Sequence, residues 1–217
     1  MPISDTVTYF AHSENDVGAR NPLRIHLAGV AERARRFANG YDAGDAAHVA
    51  GLLHDLGKYG DLFQRRLEGQ ESGLDHWSIG ASVCLEKYKR EGIAPALAIQ
   101  GHHLGLQWWE PDELRNLLPT ELEKHLPEGR RLTEKDSDVL LERFRADGLA
   151  LPERISGMPI DAKCAPAMLD LRMLFSALTD ADYLATEEHF NAAVAQMREP
   201  TARLHQREPS RADRIRR

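Results

Sequence analysis

Residues 51–58 read GLLHDLGK, an adjacent histidine and aspartate, His54 and Asp55, inside an otherwise apolar run. Imidazole and carboxylate side by side make a site of intermediate hardness for a divalent metal. The rest of the chain supplies candidates for the missing ligands: His26 upstream, and His76, the His102 and His103 pair, and Asp182 downstream. Each stands among apolar or small residues, where a polar group left without a partner is costly.

The chain has 217 residues, enough for one substantial hydrophobic core and short for two, so a single domain over 1–217 is expected. An apolar fraction of 42% rich in Ala and Leu suits a compact all-α protein, and an aromatic fraction of 6% is little material for a sheet sandwich. The net charge of -6 argues against a protein that coats nucleic acid by bulk electrostatics, although a local basic groove is compatible with it. The end of the chain, 200–217, reads as a basic tail that either contacts phosphates or stays solvated. Only Cys84 and Cys164 are present, which argues against a disulfide scaffold or thiolate cluster and suits two buried thiols. No basic leader and no apolar stretch of membrane-spanning length occurs, and a cytoplasmic protein is expected.

Around the motif the apolar spacing outlines helices. Leu23, Leu27, Val30, Ala31, Ala34 and Phe37 predict an amphipathic helix over 23–38 that turns His26 inward. A second helix is expected from a cap at Asp45 to Leu56, ended by Gly57, with His54 and Asp55 in its last turn. A short helix over 61–67 and a loop over 69–73 follow, then a helix capped by Asp75 with His76 in its first turn. The Ala-rich segment 94–104 places His102 and His103 near a helix C-terminus. Residues 106–132 read as a surface excursion in which Trp108 and Trp109 pack or stack. A helix over 133–147 capped by Thr133 and a long core helix over 163–188, holding Asp180 and Asp182, complete the chain.

Successive residues of a helix point about 100° apart, so His54 and Asp55 cannot chelate one ion as an i,i+4 pair. Near a helix end they can straddle two metal positions. The Asp55 carboxylate then bridges both, His26 and a late aspartate complete one sphere, and His76, His102 and His103 complete the other. The plain alternative is a capped helix end with a buried hydrogen bond. Asp180 and Asp182 point to roughly opposite sides of their helix and cannot both enter one sphere.

HDLGK at 54–58, DHW at 75–77, GHH at 101–103 and LTDADYLATE at 178–187, in this order, resemble the HD superfamily of metal-dependent phosphohydrolases, and more closely the nuclease domain of the CRISPR-associated Cas3 family. The resemblance runs from AHSEN at 11–15 to the DADYLATE segment at 180–187. It implies an all-helical domain with one or two metal ions between its core helices, held by His26, His54, Asp55, His76, His102, His103 and Asp182. It also implies cleavage of single-stranded DNA beside a superfamily 2 helicase and the surveillance complex of type I CRISPR interference. These residues hold no such helicase, so a stand-alone nuclease subunit or the nuclease part of a longer polypeptide is expected, and GLLHDLGK is not a phosphate loop: five residues separate Gly51 from Gly57, and no Ser or Thr follows Lys58.

Lys58, three residues past Asp55, is expected to meet a scissile phosphate or a carboxylate beside the metals, which makes it a catalytic candidate with Asp55. His12 and Ser13 are candidates for a supporting role, and Arg20, Arg24, Arg65 and Arg66 for phosphate contacts. The histidine-rich set suits Mn, Fe, Co, Ni or Zn better than Mg, though Mg is also compatible. Two other functions fit the same residues: an HD-type nucleotide or cyclic-dinucleotide phosphodiesterase with a closed pocket, and a metal-stabilised docking subunit.

Overall fold

The protein, seen in a computed structural model, is described over residues 7–106, 111–156 and 165–205. Among these, nine α-helices carry the fold: α1 (Leu23–Ala38), α2 (Gly44–Leu53), α3 (Asp61–Leu67), α4 (Ser78–Tyr88), α5 (Ile93–Leu104), α6 (Pro111–Asn116), α7 (Ser137–Ala146), α8 (Ala165–Phe190) and α9 (Ala192–His205). The central element is α2, which packs against α1, α4, α5 and α8. It earns that position by having almost no polar face, since Ala46, Ala47, Val49, Ala50, Leu52 and Leu53 are all buried.

Contact with α1 is close because both helices use small residues at the crossing. A Cβ on Gly51 would lie 2.4 Å from the Ala31 Cα, nearer than any side chain tolerates. Gly51→Ala is therefore expected to force the helices apart and cost about 1–3 kcal/mol, read as a fall of several degrees in the melting temperature. An unchanged melting curve would show that α1 and α2 can separate freely.

Several helix ends differ from the pattern-based expectation, three of them around α2 and α7. First, α2 starts at Gly44, and Asp45 lies in its first turn without capping it, within 3.7 Å of Arg35. Second, α2 stops at Leu53, with His54 at the C-cap, and Asp55 leaves the helix at φ -117°, ψ 24°. A 3₁₀ turn over Leu56–Tyr59 follows, in which the Gly57 N–H donates to the His76 carbonyl at 3.0 Å instead of continuing the ladder. Third, α7 is capped by Asp136, which accepts from the Asp138 N–H at 2.9 Å, while Thr133 donates its hydroxyl to the Gly57 carbonyl.

A small strand pair accompanies the helices: β1 (Leu74–Asp75) runs parallel to β2 (Arg131–Leu132). Two residues each are too few to show alternation in a sequence. Between α5 and β2, Leu117 and Leu122 are buried, as is Leu132 in β2. Along α8, Leu171, Leu174, Ala177, Leu178 and Ala181 are buried, and this helix packs against α1, α2 and α5. Cys84 is buried, which pushes its thiol pKa up. Trp108, Trp109, Cys164 and the basic segment from residue 206 lie outside the described residues. No helix among the described residues is long and apolar enough to cross a membrane.

Candidate metal centre

Four elements converge where α2 ends. His26 comes from the inward face of α1, His102 and His103 from the last turn of α5, and Asp182 from the middle of α8. His76 sits between β1 and α4 and is held there by its neighbour. Asp75 accepts from the backbone N–H groups of Trp77 and Ser78 at 3.1 and 2.8 Å and from the Ser78 hydroxyl at 2.7 Å. These bonds close the exposed start of α4, so His76 precedes the helix and is not in its first turn.

Because Asp55 has left the helix, its carboxylate turns back toward His54 instead of pointing away. Asp55 Oδ2 lies 3.2 Å from His54 Nε2 and 3.3 Å from His26 Nε2, and Asp182 Oδ1 lies 3.5 and 3.3 Å from the same two nitrogens. Asp55 Oδ1 faces the other way, 3.3 Å from His76 Nε2 and 3.7 Å from His102 Nε2. His103 Nε2 is 3.0 Å from His76 Nε2. Two ligand groups result, His26, His54, Asp55 and Asp182 in one and Asp55, His76 and His103 in the other, each with its donor atoms within 4.8 Å of one another. All seven nominated histidines and aspartates thus gather in one place. His102 stands beside Asp55 without joining the tighter second group. Asp180 is exposed and charges the surroundings of Tyr41 instead.

The donor set suits a divalent ion. His26 Nε2, His54 Nε2, Asp55 Oδ1 and His102 Nε2 are buried and have no hydrogen-bond partner, a pattern that calls for an ion between them. Supporting bonds orient the rings. His54 Nδ1 meets the Gly51 carbonyl at 2.8 Å and His102 Nδ1 meets the Ile99 carbonyl, which leaves each Nε2 turned to the centre. The two clusters are consistent with divalent transition metals.

Electrostatics separate the two clusters. Burial opposes charging His54, but Asp55 and Asp182 outweigh it and hold the imidazolium up to a pKa of about 10. Burial likewise works against ionising Asp55, yet His54 and Lys58, with the His102 and His26 rings close by, keep it well below the usual carboxylate range. Asp182 is held low against its burial by His26 and His54. Burial pushes His76 down to about 4, only partly offset by Asp55.

Lys58 is buried and its Nζ lies 2.7 Å from Asp55 Oδ2, so it reaches the shared carboxylate. Asp55, Lys58, His76, His103 and Asp182 line a cleft of about 610 Å³. His12 lies on its wall with its ring 4.9 Å from that of His26, and burial together with Lys58 and His26 lowers its pKa to about 3. Of the four candidate arginines, Arg66 lines this cleft. Arg20 pairs with Glu14, Arg65 pairs with Glu71, and Arg24 lines a separate cavity beside Tyr9 and Asp147. The sequence reading passed over Phe63, Thr186 and Phe190, which also line the cleft; nothing in their spacing distinguishes them from core residues.

A helical fold closed around a shared-carboxylate His/Asp double cluster defines a metal-dependent hydrolase. The HD domain family model matches residues 23–149, which include every nominated ligand except Asp182. The chain belongs to the HD domain family. No curated protein matches it.

Proposed function

We propose that the protein hydrolyses phosphodiester bonds of single-stranded DNA in type I CRISPR interference, in the cytoplasm, beside a superfamily 2 helicase and the surveillance complex that opens the target duplex. The observation that carries the hydrolytic reading is Asp55, whose two oxygens serve adjacent clusters at the base of one cleft. His26, His54, Asp55 and Asp182 would hold one ion, and Asp55, His76 and His103 a second, with His102 beside the shared carboxylate. When bound, such ions polarise a phosphoryl oxygen and make water acidic enough to serve as a nucleophile near neutral pH.

The chain's own residues do the remaining work. Lys58, the buried cation nearest Asp55, offsets negative charge on a nonbridging oxygen of a phosphate entering the cleft. No serine, threonine or cysteine nucleophile is needed. Both clusters open onto the same cleft, a shape that supports a polymeric phosphodiester over a small nucleotide enclosed on all sides. The choice of DNA and of its partners is supported by the order of HDLGK, DHW, GHH and LTDADYLATE along the chain.

The test uses circular single-stranded DNA, which an exonuclease cannot enter. Metal-stripped protein given Mn, Co, Ni, Fe or Zn separately is expected to nick and then degrade the circle, with less cutting in Mg. Hydrolysis of a mononucleotide or cyclic dinucleotide with an intact circle would replace the proposal with the nucleotide reading. Metal binding without any hydrolysis would favour the docking subunit.

A further inference from the structure

The cleft wall carries an aromatic side chain that neither metal cluster uses. Phe190, the last residue of α8, lines the cleft and is 38% exposed, although a core was available to a ring of this size. It is held rather than loose. Its ring meets those of His12 at 5.6 Å and His189 at 4.6 Å, each at an interplanar angle of 68°. His189 Nε2 is bonded to the Ser13 carbonyl at 3.0 Å, and Asn15 Nδ2 donates to the His189 carbonyl at 3.0 Å. The N-terminal loop and the end of α8 are thus clamped into one aromatic wall.

Elsewhere on the same cleft, the Arg66 guanidinium lies 5.7 Å from the centre of the Phe63 ring and makes no ion pair among the described residues. Phe190 stands roughly 12 Å further along the helix axis than Asp182, at about 1.5 Å per residue. The base it could meet therefore belongs to a nucleotide flanking the phosphate under attack. A preset aromatic face and an uncompensated cation beside an ion-binding base match the two halves of a nucleotide, a flat π-system and a diester anion.

We infer that Phe190 is a stacking subsite for an unpaired nucleobase, with Arg66 holding a neighbouring backbone phosphate. The inference rests on the reading of the cleft as a single-strand site and adds the feature that selects single strands. A base inside a duplex has both faces covered by its neighbours, so only an unpaired base can offer one to Phe190. Stacking of this kind tolerates any base, and the subsite confers strand selectivity without sequence preference.

The test uses metal-loaded protein and a phosphorothioate single-stranded oligonucleotide that resists cutting, with 2-aminopurine placed at successive positions. Wild type is expected to bind it and quench the probe at one position. Phe190→Leu is expected to weaken binding about 5- to 150-fold and lose that quench, with metal content and circular dichroism unchanged. Phe190→Trp is expected to keep both binding and quench. Equal binding and quench in wild type and Phe190→Leu, equal weakening in Phe190→Leu and Phe190→Trp, or no binding by wild type would each overturn the inference. Binding and quench by a wild type that leaves the DNA circle uncut would remove the nuclease reading and keep the subsite. Cutting that Phe190→Leu leaves unchanged would do the reverse.

Discussion

Replacing Asp55 with Asn is expected to weaken metal binding in both clusters at once and to lower phosphodiester hydrolysis by about 10³-fold or more. An amide keeps the shape of the side chain but presents one oxygen instead of two, so it cannot serve His26 and His54 on one side and His76 on the other. The metal-free protein suffers as well. Lys58 and His54 would lose the carboxylate that balances them in a buried setting, and breaking such a pair costs about 3–5 kcal/mol. Elemental analysis, initial rates and a melting curve of the chelated protein together read this result. Asp180→Asn, on an exposed residue, is the matched control and should change none of the three. If Asp55→Asn keeps its metal and its rate, the shared carboxylate is not the centre of the site.

Metal affinity is expected to rise steeply with pH through the first cluster and only weakly through the second. His54, held to about 10, carries a proton at neutral pH that an ion must displace. One proton released per ion means tenfold tighter binding per pH unit, or about 100-fold between pH 6.5 and 8.5. The second cluster makes no such demand. Burial sets His76 at about 4, and desolvation of the His103 ring against His102 and His76 sets it at about 3, so both are already neutral. Titration calorimetry in buffers of different ionisation heat counts the protons, and equal pH slopes for the two clusters would contradict this division. The same group sets a stability trend. With a folded pKa above its unfolded value of about 6.5, His54 stabilises the metal-free protein fully below pH 6.5, and this contribution is lost as the pH rises toward 10. Metal-loaded protein, in which the ion has replaced the proton, should not show that decline.

Much of the fold was legible because helical periodicity survives in a single sequence. The stretch 23–38 reads as an inward-facing stripe and forms α1 over the same residues, with Phe37 alone of that stripe left exposed at the helix end. The long apolar pattern ending in DADYLATE forms α8, and the two-residue offset between Asp180 and Asp182 foretold that only one of them faces the centre. The break at Asp55 was not legible. Nothing in the apolar run marks the helix as ending at Leu53, because the cause is distant in sequence: the His76 carbonyl takes the Gly57 N–H, and Thr133 takes the Gly57 carbonyl. Adjacent side chains that a continuous helix would splay apart are brought within 3.2 Å by that break. Phe190 is not legible for the opposite reason, since an aromatic at the end of an apolar helix looks the same in sequence whether it packs inward or stands on a wall.

The first cluster draws on His26, near the start of the fold, and on Asp182, on a helix that lies beyond the residues matched by the family model. During synthesis, at about 5–20 residues per second, several seconds separate the emergence of His103 from that of Asp182. A growing chain that already carries α1 to α5 holds every residue of the second cluster but lacks the carboxylate that completes the first. The full set of ligands for both clusters is therefore complete only late on the ribosome, once α8 has emerged to close the site.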